Sequence, residues 1–216
     1  MGISTVMLMF SQNPMQALLY ILISFLAMCV AISFHEWAHA FVAYKLGDPT
    51  AKNMGRMSLD PFRHMDWMGA VVFLLFGFGW AKPVVVNSRN LKHYRRDDIL
   101  ISLAGPVMNL LLAFVFTGVA MLVPMPNQWI ALTVMYLISM NLNFALFNVL
   151  PVPPLDGFHV VTSLFVRKNY AVVDFLQKYG YFLLILLVFS GALDVVLGWA
   201  ATGLYDLFRG FFGLFI

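Results

Sequence analysis

The apolar positions of this chain fall in long blocks separated by short connections rich in Pro, Gly and charge. The first block opens near Pro14, and the pattern predicts one retained helix over residues 15–46. At about 1.5 Å per residue that helix exceeds the roughly 30 Å hydrocarbon core, so it tilts or extends past the interface. It is not expected to be a signal peptide, because its start lacks Lys and Arg and the run exceeds the roughly 7–15 residues of a signal core. The next block, "MGAVVFLLFGFGW" (68–80), is too short to span comfortably as a helix, which takes about 17 residues or more, and is predicted to be re-entrant. Residues 81–98, "AKPVVVNSRNLKHYRRDD", are basic, β-branched and interrupted by Pro83, and are expected to form a loop with strand character.

Two further blocks, 99–123 and 129–150, each suit a spanning helix, and the second runs into "PVPPLDG", where proline ends it at membrane depth. From about residue 179 to 216 the pattern holds one or two more segments, broken around Ser190 to Asp194. The expectation is an all-α polytopic membrane protein with about four to six transmembrane helices, forming a single integral membrane domain over 1–216.

Composition strengthens that reading: of 216 residues, 62% are hydrophobic and 11% charged, against about 25% charged in an ordinary soluble domain. The formal charge of +3 is dispersed over loops, so a nucleic-acid-binding surface is not expected. Its distribution instead predicts topology. Lys45, Lys52, Arg56 and Arg63 follow the first helix; Lys82, Arg89, Lys92, Arg95 and Arg96 follow the short block; Arg167, Lys168 and Lys178 follow "PLDG". The turn at 124–128 has no basic residue. If basic loops are cytoplasmic, the first helix ends inside, 68–80 begins and ends on one side, and "PLDG" shares that cytoplasmic side. Cys29, alone in an apolar block, reads as a small buried residue.

Against this background "FHEWAH" (34–39) stands out. Glu36 is the only glutamate in the chain, and a carboxylate near the middle of a membrane helix costs roughly 2.5–3.5 kcal/mol on insertion scales. On a helix, His35 and His39 project from one face and can offer two imidazole nitrogens to one ion, with Glu36 within reach of a water beside it. Zinc suits this mixed nitrogen and oxygen chemistry, and a catalytic zinc ordinarily takes three protein ligands. Asp156, His159, Asp174, Asp194 and Asp206 are candidates for the third. Asp156 is best placed, because the prolines before it expose backbone that only a polar cavity tolerates. His64 and His93 sit among loop charges and are expected to be solvated, and Asn141 and Asn143 to be packing residues.

"HEWAH" on a membrane helix, "AGPVMN" in a later one and "NVLPVPPLDG" after another resemble the site-2 protease family of intramembrane zinc metalloproteases. "GDPTAKNMGRMSLDPFRHMD" and "GWAKPV" are similar to its compact prokaryotic members without extra soluble domains. The resemblance covers about 15–160, which would be the catalytic core. It implies that His35, His39 and Asp156 bind one zinc ion per chain and that Glu36 is the catalytic acid/base. The family's membrane asparagine, eight residues before the Asp, maps onto Asn148, and Asn109 matches the Asn of the "AGP" motif; either is expected to stabilise the oxyanion or bind substrate. The substrate implied is a transmembrane protein or peptide in the bilayer of the cell membrane, cut at a site toward the cytoplasm. Two other readings are an inactive membrane scaffold of the same fold and a metal-handling transporter, but the chain lacks the several buried carboxylates an ion relay calls for.

Overall fold

The structure, a computed structural model, describes residue 8 and residues 10–76, 79–165 and 170–216. Arg167 and Lys168 of the basic pattern, and Gly77 and Phe78 of the short apolar block, lie outside the described residues. The long helices are α1 (Pro14–Lys45), α2 (Trp67–Phe76), α3 (Tyr94–Leu122), α4 (Gln128–Asn148), α5 (Asp156–Phe165), α6 (Tyr170–Phe189) and α7 (Ala192–Phe212). No strand occurs among the described residues, and four helices (α1, α3, α4 and residues 171–189) are long and apolar enough to cross a membrane. The protein is therefore an all-α, multi-pass membrane protein.

Local chemistry sets the helix ends. The Asn13 side chain accepts the Gln16 N–H and Pro14 opens α1, while Gly47, at φ +109°, turns the chain after Leu46. Asp97 accepts the His93 N–H at 2.9 Å, so α3 begins at Tyr94, five residues before its apolar stretch. Asn127 caps α4 through the Trp129 and Ile130 N–H groups.

Lipid tails are as apolar as Leu, so membrane helices associate through close packing of small residues and buried hydrogen bonds. α1, α3 and α4 form such a core: Ala27, Ala31, Ala38, Ala40 and Ala43 of α1 and Gly105 and Ala113 of α3 are buried, while Gly118 of α3 lies against Phe212 of α7. α7 closes against α3 and α4 around Ala113, Val134, Ile138 and Leu142. The opposite faces carry exposed Leu18, Leu22 and Leu26 on α1, Leu111 and Val115 on α3, and Phe182 and Ile185 on α6, a surface suited to lipid.

The short apolar block folds back to its own start. Ala81 forms an isolated bridge with Met65, the Lys82 N–H donates to the His64 carbonyl at 2.8 Å, and Trp80 lies against Gly69, where a Cβ would meet its carbonyl oxygen at 2.1 Å. Both ends thus sit together, as a re-entrant element requires. This folding also corrects the expectation for His64: it is fully buried, with Nε2 bonded to the Ser58 carbonyl at 2.7 Å, because residues 58–65 and 81–82 close over it. His93 is exposed, as expected for a loop residue.

Residues 82–87 are extended without joining a ladder, and two carboxylates on the α1 side hold them. Glu36 Oε2 accepts the Val84 N–H at 3.0 Å, and Asp48 Oδ2 accepts the Asn87 N–H at 2.7 Å. Asp48 is fully buried; its other oxygen takes the Thr50 N–H, the Thr50 hydroxyl and the Asn90 amide. Burial pushes its carboxyl pKa up, but these four donors outweigh that and hold it below the usual carboxylate range. A second correction concerns the C-terminal region: α6 begins at Tyr170 rather than near 179, so Lys178 lies within a helix, its ammonium over the Tyr179 ring, and not in a loop. The break expected around Ser190 falls at Gly191, where φ is +72°.

Candidate metal centre

His35, Glu36 and His39 lie on the part of α1 that faces α3 and the end of α4, at 3%, 7% and 6% exposure. The break in the chain after Asn148 ends at Asp156, the first residue of α5, and its side chain reaches the two imidazoles. Their ligand atoms converge: His35 Nε2 to His39 Nε2 is 3.0 Å, and Asp156 Oδ2 lies 3.1 Å from the first and 3.3 Å from the second. The other candidates for a third ligand, His159, Asp174, Asp194 and Asp206, are exposed and outside this cluster.

The hydrogen-bond partners decide where the imidazole protons sit. His39 Nδ1 is 2.6 Å from the Ile101 carbonyl oxygen, which only accepts, so Nδ1 carries the proton. His35 Nδ1 is 2.6 Å from Asn109 Oδ1. The Asn109 amide nitrogen faces two acceptors, the Ala31 carbonyl at 3.0 Å and Asn141 Oδ1 at 2.8 Å, so its Oδ1 is the atom that faces His35, and His35 Nδ1 is again the donor. With Nδ1 as the donor, the neutral form of each imidazole presents its lone pair at Nε2.

Two imidazole lone pairs and a carboxylate oxygen within 3.3 Å repel one another unless a cation lies between them. Asp156 Oδ2 is buried and has no hydrogen-bond partner, as suits an oxygen that would bind a cation. For zinc held at about 2.0–2.2 Å in tetrahedral geometry, ligand atoms sit about 3.3 Å apart, and the observed spacings match. The residues present fit zinc: two neutral imidazoles, one carboxylate, and a side open at Asp156, whose side chain is 22% exposed. Phe144 packs edge-on to His35, with ring centroids 4.9 Å apart, and helps dry the inner side.

Gly105 of α3 makes room for this cluster. A Cβ there would fall 2.3 Å from His39 Nε2 and 2.5 Å from His35 Cε1. Gly105→Ala is therefore expected to leave helix content intact but reduce bound zinc well below one per chain, measured by metal analysis of the purified protein. Unchanged zinc content would mean that α3 shifts to admit the methyl group.

The two asparagines differ in what their amides have left to donate. Asn109 is fully buried with both amide hydrogens committed, so it has no donor left for an oxyanion or substrate; it stands behind His35. Asn148 is half-buried and uses one amide hydrogen on the Phe144 carbonyl of its own helix, leaving the other to offer. Three contributors escape the motif reading: Asn141, the Ile101 carbonyl and the Val84 N–H. Gly105 lies within the quoted "AGPVMN" run, though the motif assigns it no role; the two backbone atoms had no signal, since any residue type supplies them.

A buried pair of histidines from one membrane helix and a carboxylate from a broken helix end form a candidate metal centre inside a multi-pass membrane protein. The chain belongs to peptidase family M50, the site-2 protease family, whose profile matches residues 23–128 and 124–187. Membership makes it a metallopeptidase of the site-2 type. Among its relatives is "Putative zinc metalloprotease YwhC" of Bacillus subtilis, 38% identical over 188 residues, covering 82% of this chain and 84% of the relative. Two proteins of the same descriptive name are Rip2 of Mycobacterium tuberculosis strain H37Rv, 28% identical over 83% of this chain and 70% of its own length, and MJ0611 of Methanocaldococcus jannaschii, 31% identical over 68% and 73%. No solved structure matches the chain.

Proposed function

We propose that the protein is an intramembrane zinc metalloprotease that hydrolyses peptide bonds within or near transmembrane segments of membrane-anchored proteins. The observation that carries this reading is the convergence of His35 Nε2, His39 Nε2 and Asp156 Oδ2 beside Glu36, inside a bundle of apolar helices. One zinc ion per chain is held by these three residues. Zinc supplies Lewis-acid polarisation and draws the pKa of water down to about 7.

Glu36 follows His35 on α1 and its carboxylate accepts a proton at Oε, then delivers it to the leaving amide nitrogen of the cleaved bond. The Val84 N–H fixes that carboxylate by its 3.0 Å hydrogen bond to Oε2. Asn148 offers its uncommitted amide hydrogen to the developing oxyanion; a preorganised donor of this kind is worth about 2.7–4 kcal/mol. The site lies toward the cytoplasmic face. Supporting this orientation, Lys45 and Lys52 follow the HEWAH end of α1, Arg95 and Arg96 begin α3, and the 123–127 turn at the far end of α3 has no basic residue.

A transmembrane helix shields its peptide bonds within its own hydrogen bonds, so the substrate is an apolar segment unwound before cleavage. Residues 82–86 offer it an extended edge next to Glu36. Among the described residues the Val85 N–H has no partner, and its side chain is half exposed. The test is cleavage of a single-span transmembrane substrate by purified protein in lipid vesicles, with the cut position read by mass spectrometry. A cut inside the span that stops on chelation is the expected result; cleavage confined to soluble peptides would refute the reading. In the same assay Val85→Pro, which deletes the edge N–H, is expected to lower cleavage at least about tenfold with zinc retained; full cleavage would remove the edge from substrate binding.

A further inference from the structure

Behind His35 lies a hydrogen-bonded chain that no ligand motif describes. It begins at His35 Nδ1, passes to Asn109 Oδ1 at 2.6 Å, and continues from the Asn109 amide to Asn141 Oδ1 at 2.8 Å. The Asn141 amide donates in turn to the Leu137 carbonyl at 2.8 Å. The second Asn109 hydrogen reaches back to the Ala31 carbonyl of α1. Asn109 and Asn141 are both fully buried, and the chain joins α1, α3 and α4.

Every link in it has one workable direction. Leu137 and Ala31 present carbonyl oxygens, so each asparagine must aim its NH2 at them or leave a buried group unpaired, at about 1–3 kcal/mol. Asn141 therefore turns its oxygen to Asn109, and Asn109 turns its oxygen to His35. The proton of His35 is held on Nδ1 and the lone pair on Nε2, the atom that faces His39 and Asp156. His39 gets the same tautomer from the Ile101 carbonyl, which is fixed backbone. His35 depends on side chains.

We propose that Asn109 and Asn141 are positioning residues for the metal centre, a relay that fixes the tautomer and ring orientation of His35 through one amide acting on another. This rests on the reading of His35, His39 and Asp156 as metal ligands. Outer-shell partners of ligating histidines typically contribute about 10–100-fold to metal affinity, and an effect of that size is expected from Asn109. Asn141 touches none of the three ligands, so its effect passes through Asn109.

The experiment uses the full chain in detergent, freed of metal and titrated with Co2+, with the visible absorption of the bound ion and its loss to a competing chelator as readouts. Asn109→Leu replaces the amide with an apolar side chain of the same branching and is expected to weaken Co2+ binding about 10–100-fold and alter the visible spectrum. Asn109→Asp keeps the acceptor facing Nδ1 and is expected to hold Co2+ more tightly than the leucine variant, a rescue that a packing role would not produce. Asn141→Leu is expected to weaken binding in the unaltered chain but to add little to Asn109→Leu. Wild-type affinity and spectrum in Asn109→Leu, or fully additive effects of the two leucines, would overturn the relay while leaving the metal site standing. Absence of Co2+ binding by the unaltered protein would overturn both.

Discussion

Glu36→Gln is expected to lower proteolysis by about 10²–10⁴-fold while leaving one zinc ion per chain bound. That range is what a positioned general acid/base contributes. Glutamine keeps the length of the side chain and an oxygen able to accept the Val84 N–H, so the extended segment stays in place. What it lacks is the ability to take up a proton and return it to the leaving nitrogen. Zinc content by metal analysis and cleavage of the vesicle-embedded substrate separate the two effects. Full activity in the glutamine variant would take Glu36 out of the mechanism.

The second large effect is expected from Asp156→Ala. Asp156 is the proposed ligand that does not come from α1, and its Oδ2 is buried with no hydrogen-bond partner among the described residues. Its removal leaves two imidazoles on a single helix, too few protein ligands for a closed catalytic zinc site. Losing an outer-shell partner costs about 10–100-fold in affinity, and losing a ligand is expected to cost more than about a hundredfold, with cleavage abolished. His159→Ala, three residues away on the exposed face of α5, is expected to retain zinc and serves as the control. Equal zinc content in the two variants would assign the third ligand elsewhere.

Much of this architecture is written in the chain. The blocks at 15–46, 99–123 and 129–150 become α1, α3 and α4 because a membrane leaves the backbone no partner but itself, so apolar length translates directly into helix. The boundaries that differ do so for polar reasons. α3 starts at Tyr94 since Asp97 caps it within a basic stretch, and α6 starts at Tyr170 since Asp174 and Lys178 ride on its exposed surface. A reading of hydropathy does not register either. His64, surrounded in sequence by Arg63, Met65 and Asp66, reads as a loop residue; only the return of residues 81–82 encloses it.

The site divides in the same manner. His35, Glu36 and His39 were legible because helical geometry alone places i and i+4 on one face and because a lone glutamate in an apolar helix demands a use. Asp156 was legible as the polar residue at a proline-broken helix end. The roles of the asparagines were not. Asn109 and Asn148 are equally plausible donors as letters in motifs, and the difference lies in which acceptors surround each amide: Ala31 and Asn141 claim both hydrogens of Asn109, while Phe144 claims one of Asn148.

By itself, then, the sequence determined the membrane class, the approximate placement of the long helices and the candidate site residues, because these depend on local periodicity, hydropathy and residue chemistry. The tertiary structure alone decided the rest: how closely Asp156 meets the histidines, that Gly105 leaves space for them, and that Ile101 and Asn109 set their tautomers. It also placed the Val84 N–H on Glu36. Those are contacts between residues 48 to 121 positions apart, and only the packing of α1, α3, the start of α5 and the extended 82–87 segment brings them together.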